Sequence, residues 1–116
     1  MSRGHSKTFI IGNLGDDPEM RYIKSGKAVT EMSVAVNDTR GDSEHTDWYT
    51  VVAWGKQAEA CNTYLKKGSR VFVEGRMRKD TWEDEDGNKR SRWKLVAQSV
   101  EFLNSAPSSN QDDVPF

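Results

Sequence analysis

The chain is poor in the residues that build most catalytic and metal-binding sites. Among 116 residues there is one cysteine, Cys61, and there are two histidines, His5 and His45. A lone cysteine cannot form an internal disulfide, and no Cys/His grouping has the spacing of zinc ligands. No nucleophile–base pair or phosphate-cradling glycine loop is recognisable either. We therefore expect a protein that is not an enzyme and that needs neither a metal nor another cofactor.

Long apolar runs are absent as well. The first six residues are polar, so no secretory signal is expected, and no stretch of the chain is apolar enough to span a bilayer. A single cysteine fits a reducing compartment. A cytoplasmic location is therefore the default expectation.

Polarity divides the chain into a body and a tail. Residues 104–111 carry no charge and almost no apolar side chain, as in a flexible linker. Residues 1–103 are then one folded domain, and residues 112–116 are the tip of a disordered tail. Phe116 carries both an aromatic side chain and the terminal carboxylate, a combination that a partner protein can bind. The alternative is that an aromatic residue stands by chance at a frayed chain end. The predicted protein-interaction tip is Asp112, Asp113, Val114, Pro115 and Phe116.

Charge is balanced in total but sorted along the chain. There are 17 Lys+Arg and 18 Asp+Glu, for a formal net charge of −1, which does not by itself indicate nucleic-acid binding. Basic residues concentrate between Lys66 and Lys79, and four acids follow at 83–86. An ordinary solvated face explains the basic stretch at least as well as a phosphate-binding face does, so other features must decide.

Apolar alternation and turn formers predict about five strands and one helix. The helix is expected over 55–67, because Ala58, Cys61 and Leu65 share a face and Gly68 suits the position after the end. Residues 37–47 are predicted to be a charged loop, and Asp86-Gly87 predicts a hairpin. The strands are expected at 7–13, 28–37, 47–54, 70–79 and in a ribbon from 80 that returns to 102.

A lone helix between the third and fourth of five strands is typical of the oligonucleotide-binding (OB) fold. This is a mainly β architecture, a partly open five-stranded barrel. The pattern alone also permits an SH3-like barrel or a small α+β domain.

Four tryptophans are many for so polar a chain. Trp48 and Trp54 are six residues apart in one predicted strand, so they point to the same face, which Thr50 and Val52 share. Tyr49, Val51 and Ala53 take the opposite face, which is small and apolar enough for the core. Trp82 follows Arg76 and Arg78 at even spacing, which puts it on their side of the ribbon. Aromatic faces beside cations suit sequence-tolerant binding of single strands, because bases stack while cations follow the phosphates. The alternative is that these side chains are core or interface anchors, and Trp93, in a basic strand, is assigned to that alternative.

Motifs in order along most of the chain resemble those of bacterial-type single-stranded DNA-binding proteins. The first part of the chain contributes Gly12-Asn13-Leu14-Gly15, Asp17-Pro18-Glu19 and Arg21-Tyr22. The central part contributes Trp48, Val51-Val52, Trp54-Gly55-Lys56 and Ala58-Glu59. The later part contributes Tyr64-Leu65-Lys66-Lys67-Gly68-Ser69, Val71 and Val73-Glu74-Gly75, and the acidic tail that ends in Pro-Phe is similar as well.

The resemblance implies an OB fold, assembled as a homotetramer, that binds single-stranded DNA without sequence preference and without catalysis. It also implies that the tip recruits replication, recombination and repair proteins. By this resemblance Trp48, Trp54 and Trp82 are base-stacking residues. The phosphate-binding cations that it implies are Arg3, Lys56, Lys67, Arg78 and Arg90, to which local charge and strand parity add Arg76 and Lys79.

The chain departs from the family pattern in several places. Many members carry a further tryptophan where this chain has Asn37-Asp38-Thr39-Arg40, so one stacking position fewer is expected. Asp80 and Thr81 occupy a stretch that is often basic, the linker is short, and Val114 stands where isoleucine is common. These departures fit a phage- or plasmid-encoded protein, which would act in the host cytoplasm with the nucleoid, or a shortened paralogue. The alternative function is a primosome-type adaptor that acts mainly through protein contacts.

Overall fold

The computed structural model describes residues 4–103, which form six strands and one helix. Arg3, the linker 104–111 and the tip 112–116 lie outside the described residues, so the predictions made for them stay predictions. The 10-residue helix within 4–103 is too short to cross a membrane. The elements in chain order are β1 (Thr8–Leu14), β2 (Glu19–Tyr22), β3 (Ala28–Arg40), β4 (Ser43–Trp54), α1 (Gly55–Tyr64), β5 (Arg70–Glu83) and β6 (Lys89–Phe102).

Five of the strands close into a barrel. The sheet order is β1-β5-β6-β4-β3-β2, and β1 also pairs with β3. That last pairing is short, joining Asn13 to Ala35 and Leu14 to Val34. All pairings are antiparallel except β4 with β6. Because β2 pairs with β3 alone and lies outside the ring, α1 falls between the third and fourth barrel strands. The predicted mainly β OB-type barrel with one helix is confirmed.

Alternation along the strands fills the barrel interior. Val51 and Ala53 are fully buried and Trp48 is largely exposed, as predicted, but Val52, which was predicted on the outer face, is only 7% exposed. The helix covers one end of the core with Ala58 and Cys61. The buried Thr30 hydroxyl donates to the Ala58 carbonyl at 2.7 Å, which ties β3 to α1.

Two predicted boundaries are wrong. The helix ends at Tyr64 instead of residue 67, because the chain becomes extended at Leu65 and then turns tightly. In that turn the Lys66 N–H donates to the Ser69 hydroxyl, and Gly68 has φ +91°. Residues 37–47 are not a loop either, since β3 and β4 stay paired as far as Arg40 and Ser43. The side chains of residues 37–39 and 41–47 are exposed, so neither face of that ribbon needs to be apolar.

An irregularity in the β5–β6 pairing changes which side chains of β6 face the core. Glu74 pairs with Ser99 but Gly75 pairs with Ala97, so β6 accommodates the extra residue Gln98. The register shift lets Val100 on one side and Leu95 on the other pack on the same core. A β-bulge of this kind re-aims the side chains that follow it.

The burial of Cys61 gives a prediction about its reactivity. The side chain is fully buried, and desolvation raises the pKa of its thiol to about 11. At about pH 8 only about one thiol in a thousand would be ionised, and the thiolate is the reactive form. Ellman's reagent should therefore leave the native protein unlabelled and titrate one thiol per chain after denaturation. Rapid labelling of the native protein would contradict this packing.

Candidate nucleic-acid interface

The outer face of β4 carries two of the candidate stacking residues. Trp48 is 62% exposed and Trp54 is 38% exposed, although both are large aromatic side chains. At about 3.3 Å per residue, the six steps between them separate their backbones by about 20 Å. The strand therefore presents two separate aromatic positions on one surface.

Each of these indoles is held by a specific neighbour. The Trp48 ring lies against Gly15, where an added Cβ would come within 2.4 Å of the ring carbon Cζ3. The absence of a side chain at Gly15 thus leaves room for one face of that indole. Lys27 places its Nζ 5.6 Å from the centre of the Trp54 ring, in cation–π geometry. Each ring is therefore held in place by its neighbour, while one face or edge of the ring stays accessible to a ligand.

The third candidate, Trp82, lies on the β5–β6 ribbon and is 43% exposed. It pairs with Arg90 across the ribbon, and two residues earlier Asp80 pairs with Arg92. Because alternate residues share a face, these side chains lie on one side of the ribbon together with Arg78. The pairing of β5 with β6 thus places Trp82 on the same side of the ribbon as these basic residues, as predicted.

A groove of about 770 Å³ connects the β4 face with the base of this ribbon. Val29, Val52 and Val96 contribute apolar surface, and Trp54 contributes an aromatic wall. Four cations and three carboxylates give the lining a net charge of +1. The charged lining residues are Glu19, Arg21, Glu31, Arg78, Lys79, Asp80 and Lys94.

Lys94 is held between two carboxylates of the groove. Its Nζ lies 3.1 Å from an oxygen of Asp80 and 3.3 Å from an oxygen of Glu31. Partial burial disfavours the charge on Lys94, but the hydrogen bonds to Asp80 and Glu31 outweigh it and raise the pKa of the ammonium group. Lys94 is therefore a fixed cation at neutral pH.

The predicted phosphate-binding cations are dispersed. Arg78 lines the groove, and Arg76 precedes it on the same side of β5. Lys79 contributes to the lining, although it alternates with these arginines and pairs with Trp93 across the ribbon. Two others lie away from the groove lining: Lys56 is exposed in the first turn of α1, and Lys67 is exposed in the turn before β5.

Arg90 is fixed by the hairpin turn at the end of the ribbon. Its Nε donates to the Asp84 carboxylate at 2.9 Å, and the other oxygen of Asp84 accepts from the backbone N–H groups of Asp86 and Asn88. The hydrogen bond from Arg90, followed by that from Asn88, lowers the pKa of the Asp84 carboxyl. The predicted turn at Asp86-Gly87 is confirmed, since Gly87 has φ +83° and donates to the Asp84 carbonyl.

Sequence reasoning missed three residues of this surface, Lys27, Arg92 and Lys94, and it assigned Trp93 to the core or an interface. Lys27 precedes β3 and meets Trp54 only because Val29 pairs with Trp54. Arg92 and Lys94 alternate with Trp93 on β6, a signal that was available in the sequence. Trp93 itself is 57% exposed and lies on the opposite side of the ribbon from Trp82, so it is not a core residue.

These features are of the kind that bind an unpaired nucleic-acid strand. Exposed indole faces offer stacking surfaces to any base, while a duplex hides its base faces. The nearby guanidinium and ammonium groups can contact phosphates. Within residues 4–103 no group of three or more metal-ligating side chains could hold a metal ion.

Comparison with known proteins finds related sequences over almost all of the described chain. The family model described as the single-strand binding protein family matches residues 5–103. Single-stranded DNA-binding protein 1 of Chlorobaculum tepidum is 39% identical over 114 residues, which are 93% of this chain and 70% of the relative. Proteins named single-stranded DNA-binding protein from Xanthomonas campestris and Xanthomonas axonopodis are each 39% identical over 108 residues. Those matches cover 89% of this chain and 63% and 60% of the two relatives.

Proposed function

Since this chain belongs to the single-strand binding protein family, we propose that it binds and protects single-stranded DNA without sequence preference. The bases would stack on Trp48, Trp54 and Trp82, and the phosphates would meet Arg76, Arg78 and the other predicted cations. Binding of this kind serves replication, recombination and repair in the cytoplasm, wherever single strands are exposed.

The observation that carries the proposal is the exposure of three indoles on one continuous surface. Burying a tryptophan removes a large apolar area from water, yet Trp48, Trp54 and Trp82 each leave more than a third of their surface open. Their neighbours on this surface are mostly charged, so the surface does not resemble an apolar protein interface. A stacked base covers an aromatic face while its phosphate stays beside the cations.

An equilibrium titration tests the proposal. Tryptophan fluorescence is followed while a thymidine homopolymer is added at several salt concentrations. We expect quenching, and we expect the logarithm of affinity to fall with the logarithm of salt by about 0.7 per neutralised phosphate. A duplex of the same length should quench much less. Absence of both quenching and salt-sensitive binding would refute the proposal.

A second part of the proposal is assembly into a homotetramer. Phe9 is 65% exposed and Ile11 is 46% exposed on the outer side of β1. Phe9 meets Phe72 edge-on, with ring centres 6.0 Å apart. Among the described residues β3 pairs with β1 only at Asn13 and Leu14, so one edge of β1 is open from Thr8 to Ile11. An exposed apolar patch beside an open strand edge favours pairing with a second copy.

Phe9→Glu should therefore dissociate the assembly. A buried charge in an apolar subunit contact is strongly unfavourable, and the side chain at position 9 is exposed within a single chain, so the fold should persist. Sedimentation analysis should give the mass of four 13.2 kDa chains for the unaltered protein and a smaller mass for the variant. Tyr22→Glu on β2 is the matched control and should not change the mass. An unaltered protein that sediments as a monomer would count against the assembly.

The third part of the proposal is that the tip 112–116 recruits partner enzymes. Phe116 would occupy an apolar pocket of a replication, recombination or repair protein. A basic rim of that pocket would bind its carboxylate together with Asp112 and Asp113. The proposal rests on the composition of the tip and on its resemblance to family tails.

Deleting Phe116 should abolish capture of these partners while single-stranded DNA binding stays unchanged. The deletion removes the apolar anchor but leaves every residue of the groove in place. Pull-down of a replication or repair enzyme, run beside the fluorescence titration, measures both properties. Capture that survives the deletion would show that partners bind elsewhere.

A further inference from the structure

We propose that Lys27 is a positioning residue for DNA binding: it covers one side of the Trp54 indole and holds the ring so that a base stacks on the side that faces the groove. This inference rests on the proposed single-stranded DNA binding and deepens it at one stacking position. Lys27 acts through the ring and not by contacting a phosphate.

A hydrogen-bonded turn fixes the backbone that carries Lys27. The Ile23 N–H donates to the Lys27 carbonyl at 3.0 Å, and the Gly26 N–H donates to the Ile23 carbonyl at 2.8 Å. The residue after Lys27, Ala28, is buried and is the first residue of β3. The side chain of Lys27 therefore leaves an ordered backbone at the start of a barrel strand.

The aliphatic stem of Lys27 passes over the junction between β4 and α1. Its Cε lies 4.0 Å from the position that a Cβ on Gly55 would occupy, which is van der Waals distance. Because Gly55 directly follows Trp54, the stem runs beside the indole. The ammonium nitrogen reaches 5.6 Å from the centre of the ring, within the range of a cation–π interaction.

No carboxylate competes with the ring for this ammonium group. Among residues 4–103, the lysines that form salt bridges are Lys7 and Lys94, and Lys27 forms none. The interaction with the Trp54 ring is therefore the contact that fixes the charged end of the Lys27 side chain.

The groove opens on another side of the same ring. Trp54 forms one wall of the groove of about 770 Å³, whereas Lys27 does not belong to its lining. The ammonium group thus covers the indole from outside the groove, and the tryptophan remains 38% exposed. A base that enters the groove meets a ring whose orientation is already fixed, which lowers the conformational cost of stacking. Trp54 then stacks with one base and is not inserted between two.

Lys27→Met tests this role, because methionine keeps an unbranched apolar stem and removes the charge. The anisotropy of a labelled thymidine oligomer should show a loss of affinity of about two- to fivefold, the effect of one cation–π interaction at an exposed site. Lys27→Arg should retain the affinity, since a guanidinium group also interacts with an aromatic face. In a Trp54→Ala background Lys27→Met should have no further effect, and the salt dependence should stay unchanged.

Lys24→Met is the matched control, because Lys24 is exposed in the same turn and carries the same charge. It should leave the affinity unchanged. A loss that persists in the Trp54→Ala background, or a salt slope that becomes shallower by about 0.7, would show that Lys27 contacts a phosphate and would overturn the inference. An equal loss in Lys24→Met and Lys27→Met overturns it too, because the total charge alone would then explain the effect.

Acrylamide quenching without DNA distinguishes this inference from the proposed function. In a full chain that keeps Trp54 and has phenylalanine at the other three tryptophan positions, Lys27→Met should make the indole more accessible to acrylamide, and Lys24→Met should not. Equal accessibility in the two variants overturns the positioning role. Failure of the unaltered chain to bind the oligomer instead refutes the proposed function itself.

Discussion

Replacing Trp54 and Trp82 together with alanine is expected to weaken binding to single-stranded DNA by at least about 30-fold. Each base–aromatic stack contributes about 1–3 kcal/mol, and about 1.4 kcal/mol corresponds to a tenfold change. The loss of Trp54 also removes the ring beside Lys27. Both side chains are substantially exposed, so the barrel should remain folded, as circular dichroism can verify.

Trp93→Ala is the control for this double variant. Trp93 is 57% exposed and pairs with Lys79, so it offers the same chemistry on the opposite side of the ribbon. Filter binding with a thymidine oligomer should show little change for this variant. A large loss of affinity in Trp93→Ala would place the bound DNA strand on the other side of the ribbon. Unchanged binding of the double variant would favour a primosome-type adaptor that acts through protein contacts.

Gly75→Ala is expected to destabilise the fold by about 3 kcal/mol or more. An added Cβ would lie 2.0 Å from the Val96 carbonyl oxygen and 2.9 Å from its carbon. Both atoms belong to backbone that is paired in the β5–β6 ribbon, so relief requires opening the ladder at the register shift. In thermal unfolding, the midpoint should fall by about 12 °C or more.

Gly4→Ala provides the matched control for this effect. Apart from its chain neighbours, no atom of residues 4–103 lies within 4 Å of a Cβ at residue 4, and exposed substitutions of this kind usually change stability by less than about 0.5 kcal/mol. If Gly75→Ala and Gly4→Ala unfold at the same midpoint temperature, the backbone of β6 does not approach Gly75 this closely.

The local sequence pattern predicted much of the fold, because strand alternation and turns depend on residues that are close together in the sequence. Period-two alternation assigned Val51 and Ala53 to the core and Trp48 to the surface, and Asp86-Gly87 identified a hairpin. The helix was placed correctly, but its end depended on Ser69, whose hydroxyl accepts from Lys66 and tightens the following turn. A single hydrogen bond of this kind leaves no periodic pattern in the sequence from which the end of the helix could be predicted.

The parts of the surface that sequence did not predict depend on contacts between distant strands. Lys94 meets Glu31 only because β6 pairs with β4 and β4 pairs with β3. The register shift near Gly75 decides which β6 side chains lie on the same side of the sheet as Trp54, and no local sequence motif predicts that shift. Lys27 likewise reaches Trp54 across a strand pairing.

Ultraviolet crosslinking to a single-stranded thymidine oligomer, followed by peptide mapping, tests the central claim most directly. Aromatic side chains that touch bases are the ones expected to crosslink. We predict crosslinks at Trp48, Trp54 and Trp82. Phe9 is as exposed as Trp48 but lies on the proposed subunit contact and should stay unmodified. Crosslinks confined to Phe9 or Trp93, or absent from all three predicted tryptophans, would contradict the assignment of this surface.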